Sequence, residues 1–258
     1  MDLKLDGKVA LVTGGSRGIG KGIAEGLARE GCRVAVCARN AAPLEEAVEG
    51  IRAAGGEALA CPLDITSDEG PATFVAQARD AFGGVDIVVN NAGGNRRGTL
   101  EETSDEDWRE IFELNVHSGV RLVREALPAL RESSSGSVVF ITSIFGREAG
   151  GPGIAIYNST KSAAMSAARI LALDLAGEGI RVNSVAPGSV RFPGGSWDRR
   201  VKENPEKMEG WIEANLPLGR FGTVEEVADV VAFLSSERAS LVTGACVPVD
   251  GSQGRSLF

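Results

Sequence analysis

The chain has 258 residues, with 27 Lys+Arg against 35 Asp+Glu and a formal net charge of −8. That length suits one large α/β domain or two small ones, and an acidic chain without a basic run is a poor match to nucleic acid. A single histidine, His117, and four scattered cysteines, Cys32, Cys37, Cys61 and Cys246, with no CxxC, exclude a structural zinc site, so no metal is expected.

No uninterrupted apolar run spans a bilayer, and residues 1–8 lack the apolar core of a signal peptide. The expectation is a cytoplasmic protein without a membrane segment, its thiols reduced and used as core packing. Glycine is abundant, 34 of 258 residues, against a usual share of about 7%. Without a collagen period, these glycines belong at turns and close backbone approaches.

Residues 9–12 form a short apolar run that predicts a strand buried on both faces, followed by Thr13-Gly14-Gly15. Helical spacing of Ile19, Ile23 and Leu27 predicts a helix over 18–30, stopped at Gly31. Strands are predicted over 33–38, 58–62 and 86–89, with helices over 43–54 and 68–82 between them. Asn90-Asn91-Ala92-Gly93 follows the fourth strand.

One long helix is predicted over 104–131, with Ser104-Asp105-Glu106-Asp107 as its acidic first turn. A strand over 137–142, a helix over 156–176 and a strand over 181–185 come next. Residues 197–215 read as an irregular, partly helical insert, within a substrate loop spanning 190–216. A helix over 224–235 and a strand over 246–249 close the chain.

Strand and helix alternate throughout, without linker or repeat. The expected fold is a single-domain (1–258) Rossmann-type, doubly wound parallel sheet with helices on both faces. Ligands of such sheets bind beyond the carboxyl ends of the strands. The turn after the first strand carries glycines at 14, 18 and 20, so the GxGxxG spacing is absent. Residues 15–21 match a phosphate-loop NTPase, but Gly22 stands where its magnesium-binding hydroxyl belongs.

These motifs resemble the short-chain dehydrogenase/reductase family over nearly the whole chain. Its TGxxxGxG matches Thr13, Gly14, Gly18 and Gly20, its NNAG matches residues 90–93, and its Pro-Gly after the sixth strand matches Pro187-Gly188. Its catalytic Asn, Ser, Tyr and Lys map onto Asn115, Ser143, Tyr157 and Lys161. The resemblance implies that Gly14, Ser16, Arg17, Gly18, Ile19 and Gly20 hold a dinucleotide, together with Asn91, Ala92 and Gly93. It further implies that Asp64 and Ile65 lie at the adenine, Pro187, Gly188 and Val190 at the nicotinamide, and Tyr157 and Lys161 against its ribose.

Tyr157 and Lys161 are four apart on a predicted helix and share a face. A lysine ammonium beside the phenol lowers its pKa and lets Tyr157 exchange a proton with a carbonyl or alcohol oxygen during hydride transfer. Tyr157 is the only tyrosine of the chain. Ser143 is suited to bond the same oxygen. Asn115 would shape the site and carry a water, while His117 is a packing or polar-contact residue.

Ser143 and Tyr157 are one residue farther apart than the family pattern, with the excess expected within 146–153. Phe192 stands where many members carry a carboxamide-gripping threonine. At the end of the second strand, Ala38 and Arg39 replace the acid that bonds a ribose 2′-OH, which favours NADP(H) over NAD(H).

The expected function is hydride transfer between NADP(H) and a small carbonyl or alcohol substrate, in a homotetramer. The alternatives are an NAD-preferring dehydrogenase, a 3-oxoacyl-carrier-protein reductase and a catalytically silent dinucleotide-binding regulator. Residues 217–222 and 249–251 are similar to those of β-ketoacyl-carrier-protein reductases. Ser134 and Glu178 stand where those relatives carry basic carrier-docking residues, which favours a free or coenzyme-linked ketone. The segment 190–215 holds Arg191, Arg199, Arg200, Lys202 and Lys207, with aromatic surface at Phe192 and Trp197.

Overall fold

The first strand, β1 (Val9–Thr13), is buried along its length and sends alternate side chains into two packing layers. Ala10 and Val12 meet Ile23 and Leu27 of α1 (Gly18–Arg29) and Val227 and Val231 of α9 (Val224–Ser235). Val9 and Leu11 meet Phe74 of α3 (Gly70–Phe82), Leu122 of α5 (Ser118–Glu132) and Ala168 of α6 (Ala155–Leu175). The period-2 alternation of a strand thus feeds two helix layers at once. The computed structural model describes residues 1–257.

The remaining strands are β2 (Arg33–Ala38), β3 (Glu57–Pro62), β4 (Ile87–Asn90), β5 (Ser137–Ile141), β6 (Arg181–Pro187) and β7 (Cys246–Val249). All seven pair in parallel, in the order β3-β2-β1-β4-β5-β6-β7. The order reverses between β1 and β4, which opens a crevice at their carboxyl ends. Helix α2 (Ala41–Ala53) joins the α1 and α9 layer through Leu44, Val48 and Ile51. Gly31 ends α1 in a Schellman motif: Gly31 N–H donates to Ala28 O and Cys32 N–H to Leu27 O, each at 3.0 Å. Cys32, Cys37 and Cys61 are buried packing residues, and among the described residues all four cysteines are unbridged.

Two expectations are corrected. The single helix over 104–131 is instead α4 (Asp105–Phe112), a π-helical segment Glu113–His117, and α5. Side-chain periodicity does not register one extra residue in a turn, and a π-turn is such an insertion. The acidic first turn of α4 falls where expected, and it also forms a capping box between Ser104 and Asp107.

The insert is also more regular than expected. It forms α7 (Ser196–Glu203) and α8 (Pro205–Asn215), joined at Asn204, whose side chain caps α8. Trp197, Trp211 and Phe221 give these helices their own small core, with ring centroids 4.4 Å (Trp197 to Trp211) and 5.3 Å (Trp197 to Phe221) apart. Local polarity hides that core, because its aromatic residues come from three separate segments.

Candidate active site

The turn after β1 is held from the NNAG segment. The Thr13 hydroxyl accepts the backbone N–H groups of Asn91 and Ala92, each at 2.9 Å. The Asn91 amide donates to the Thr13 carbonyl at 2.9 Å and the Gly14 carbonyl at 3.2 Å. Gly14 has φ +66°, and a Cβ there would lie 2.9 Å from Ala92 Cα. At Gly20 a Cβ would lie 2.3 Å from Asn91 Nδ2. Both positions therefore exclude any side chain, which explains two of the three spaced glycines.

The N-terminus of α1 has no side-chain cap and no acid in its first turn. It borders a groove of about 570 Å³. Gly14, Ser16, Arg17, Gly18, Ile19 and Gly20 line one wall. Asn91, Ala92 and Gly93 line another, and Arg39, Asp64 and Ile65 line the far end. Free helix N–H groups, a positive dipole end and two guanidinium groups fit a phosphate-bearing dinucleotide. Asp64 is held below the usual carboxylate range by its bonds from Thr66 and by Arg39, against an opposing effect of burial.

A second cleft, of about 560 Å³, opens beside the groove and contains Ser143, Tyr157 and Gly188. Phe192 borders both spaces and packs on Gly18 so closely that a Cβ there would meet its ring at 2.7 Å. Pro187 ends β6 in the buried sheet. Val190 is brought to neither cleft: it is buried, bridged to Gly222, and lines a separate cavity of about 80 Å³.

The Tyr157 hydroxyl is hydrogen-bonded to Ser143, which leaves β5 at the strand's carboxyl end. Lys161 lies one turn on along α6, with Nζ 5.7 Å from the Tyr157 ring centroid and donating to the Ile141 carbonyl at 2.9 Å. Burial lowers Lys161 to about 8. Burial also raises the Tyr157 pKa, and its bond with Ser143 offsets only part of that rise. The expected lowering by Lys161 is therefore absent in this arrangement. The ammonium is spent on a carbonyl rather than on the phenol oxygen, and desolvation disfavours the phenolate.

Asn115 sits in the π-helical segment, buried. Its Oδ1 accepts the Gly94 N–H at 2.8 Å, and its Nδ2 donates to Gly94 O at 3.0 Å and Thr160 Oγ1 at 2.9 Å. It therefore binds α6 to the loop after β4. His117 is at the surface, with Nδ1 3.2 Å from Glu113 Oε2.

The extra residue between Ser143 and Tyr157 falls in a loop with Gly151 and Gly153 at positive φ. Asn158 ties that loop down, accepting from Gly150 N–H at 2.9 Å and donating to Glu148 O at 3.0 Å.

Sequence reasoning passed over several supports. Thr160 bridges Asn115 and the Tyr157 carbonyl. Gln253 holds the turn after β6, accepting from Ser189 N–H at 2.7 Å and donating to Ser189 Oγ at 2.9 Å. Arg97 and Asn95 line the second cleft from the loop after β4. Nothing in the spacing marks them, since each acts through a segment distant in the chain. Among the described residues no cluster of metal ligands exists, and no helix is long and apolar enough to cross a membrane.

Sheet order, glycine turn and crevice together define an α/β oxidoreductase of the dinucleotide-binding type. The family described as enoyl-(acyl carrier protein) reductase matches residues 14–252. The chain belongs to the short-chain dehydrogenase/reductase family.

It is 37% identical to the rhamnolipids biosynthesis 3-oxoacyl-[acyl-carrier-protein] reductase of Pseudomonas aeruginosa, covering 96% of each chain. It is 38% identical to the gluconate 5-dehydrogenase of Gluconobacter oxydans, covering 98% of this chain and 97% of that one. The L-sorbose reductase of Gluconobacter frateurii, solved with NADPH and L-sorbose, superposes with a TM-score of 0.94 at 35% identity and full coverage of both chains.

Proposed function

We propose that the protein reduces a small ketone, or oxidises the matching alcohol, with NADP(H) held in the groove beside α1. The observation that carries this reading is the Ser143–Tyr157–Lys161 cluster opening into a cleft next to that groove. When bound, the cofactor supplies or accepts the hydride. In reduction, the substrate carbonyl carbon gains that hydride and its oxygen takes the Tyr157 proton, giving a secondary alcohol.

Ser143 donates a hydrogen bond to the same oxygen as charge develops on it. The raised Tyr157 pKa keeps the phenol protonated at neutral pH, ready to act as an acid. Lys161, one turn along α6 from Tyr157 and bonded here to the Ile141 carbonyl, is the residue that would hold the nicotinamide ribose and restrain the phenolate, which solvent reprotonates. Asn115 keeps the loop after β4 and the Lys161 turn of α6 in register.

Arg39 and Arg17 in the groove, and a β2 end without an acid, support NADP(H) over NAD(H). The NADPH complex of the similar L-sorbose reductase agrees with this choice. Arg131 is already paired with Glu178 by bonds of 2.6 and 3.1 Å, which lessens the positive charge offered to an acidic carrier protein there. A free or coenzyme-linked small ketone is therefore favoured. Segment 190–216 is read as the loop over the substrate. A homotetramer in the cytoplasm completes the proposal.

The test is turnover of a ketone panel with NADPH by the wild type and by Tyr157→Phe. The variant is expected to lose all but about a hundredth of kcat while NADPH binding changes little, because only the proton donor is removed. Retention of more than about a tenth of kcat rejects the role of Tyr157.

A further inference from the structure

The cleft beside Tyr157 has an unusual charge for a chain of net −8. No Asp or Glu lines it, whereas Arg17, Arg97, Arg199 and Arg200 do. Arg17 also lines the cofactor groove and belongs to its phosphates. Three guanidinium groups remain for the substrate side.

Their neighbours are already neutralised. Arg96 pairs with Asp107 at 2.8 Å and Glu110 at 3.3 Å. Arg191 and Lys202 pair with Asp198, at 3.1 and 2.7 Å. Asp198 also accepts the Gly194 N–H at 3.1 Å, and these partners push its pKa down to about 2. That carboxylate fastens the start of α7 and so fixes where Arg199 and Arg200 stand.

Arg97, Arg199 and Arg200 have no carboxylate within ion-pair distance among the described residues. Arg199 is steadied by one bond, Nη1 to Gly194 O at 2.7 Å. Arg200 lies over the Trp197 ring, 4.9 Å from its centroid. A guanidinium stacked on an aromatic face keeps its in-plane N–H edge free, and that edge matches a planar carboxylate. Three guanidinium groups lining one cleft with no acid among its walls make a positive surface that a negatively charged ligand complements.

We propose that the substrate carries a carboxylate besides its reacting carbonyl, and that Arg97, Arg199 and Arg200 receive it. The inference rests on the reading of Tyr157 as proton donor to a ketone. The carboxylate would set specificity, holding the far end of the molecule so that the carbonyl meets Ser143 and Tyr157.

The experiment compares 2-, 3-, 4- and 5-oxo carboxylates with their methyl esters, at saturating NADPH. At the best chain length the acid is expected to exceed its ester in kcat/KM by at least about tenfold, the scale of one charge-assisted hydrogen bond. Arg97→Ala, Arg199→Ala and Arg200→Ala should each narrow that acid-to-ester ratio, and added salt should raise KM for the acid but not for the ester.

Esters reduced as well as acids at every chain length overturn the inference while leaving the reductase reading intact. Preference for a phosphorylated ketone over every carboxylate overturns it too. If no ketone is reduced, the reductase reading fails. Quenching of tryptophan emission in the NADP-loaded protein then decides separately: saturation by the acids but not the esters upholds the site, and equal or absent quenching overturns it.

Discussion

Lys161 is a buried charge with a single hydrogen-bond partner, the Ile141 carbonyl, and its pKa falls to about 8 through loss of water. An unfolded lysine titrates near 10.5, so between these values the unfolded chain binds more protons than the folded one. Stability therefore rises with pH across that window, and below it the folded protein carries a penalty on the order of 3 kcal/mol.

Lys161→Met removes the titrating group. In cofactor-free protein, the melting temperature of the wild type should gain on that of the variant as pH rises from about 8 to 10. A difference that stays constant with pH would falsify this account. Tyr157 has a related consequence. Its phenol is protonated at neutral pH, so alcohol oxidation, which needs the phenolate, should increase with pH while ketone reduction does not.

At the scale of elements, the π-helical segment between α4 and α5 sets the position of Asn115. It turns Asn115 into the protein, where three hydrogen bonds join the loop after β4 to α6. Asn115→Ala leaves the Gly94 N–H and carbonyl without these partners inside the protein. The expected cost is about 2 kcal/mol of unfolding free energy, measured by urea denaturation. A larger relative loss of kcat should accompany it, because the same bonds keep Gly93 beside Lys161. Unchanged stability would mean that water replaces the amide.

The helices α7 and α8 form the other informative element. Their aromatic core and the Asp198 anchor make the insert a folded helical pair rather than an irregular loop.

At the scale of the whole molecule, the parallel sheet brings the ends of β1, β2, β4, β5 and β6 to one edge, where the groove and the second cleft both open. Arg39, one residue beyond β2, reaches the groove end by Asp64. Arg39→Asp should lower kcat/KM for NADPH by at least about tenfold and bring NADH level with it or ahead, since a guanidinium–phosphate pair becomes a repulsion.

Assembly is a separate matter. Ala168 and Ala172 of α6 pack in the core beneath the sheet and Ala164 is buried, so those small residues serve the interior. The outer face exposes Ile170 and Leu173, 52% and 62% accessible. Apolar side chains on an outer helix face suit burial against a symmetry mate. Light scattering at micromolar concentration should give four times the chain mass, and a monomer would refute the tetramer.

The alternation of apolar runs and turns determined the order of the strands and of most helices, because a buried strand or amphipathic helix announces itself over a few adjacent residues. The glycine turn and the NNAG segment were legible for the same reason, as short motifs just past the ends of β1 and β4, and Tyr157 and Lys161 as an i, i+4 pair on one helix, with Ser143 just past β5. Only the tertiary structure decided the environment of those groups. Burial lowers Lys161 and raises Tyr157, and burial is a property of what surrounds a side chain. The π-turn at Asn115, the aromatic core of Trp197, Trp211 and Phe221, and the cleft that gathers Arg97 with Arg199 and Arg200 join segments far apart in the chain. No local pattern encodes such meetings, since they depend on how separately formed elements pack.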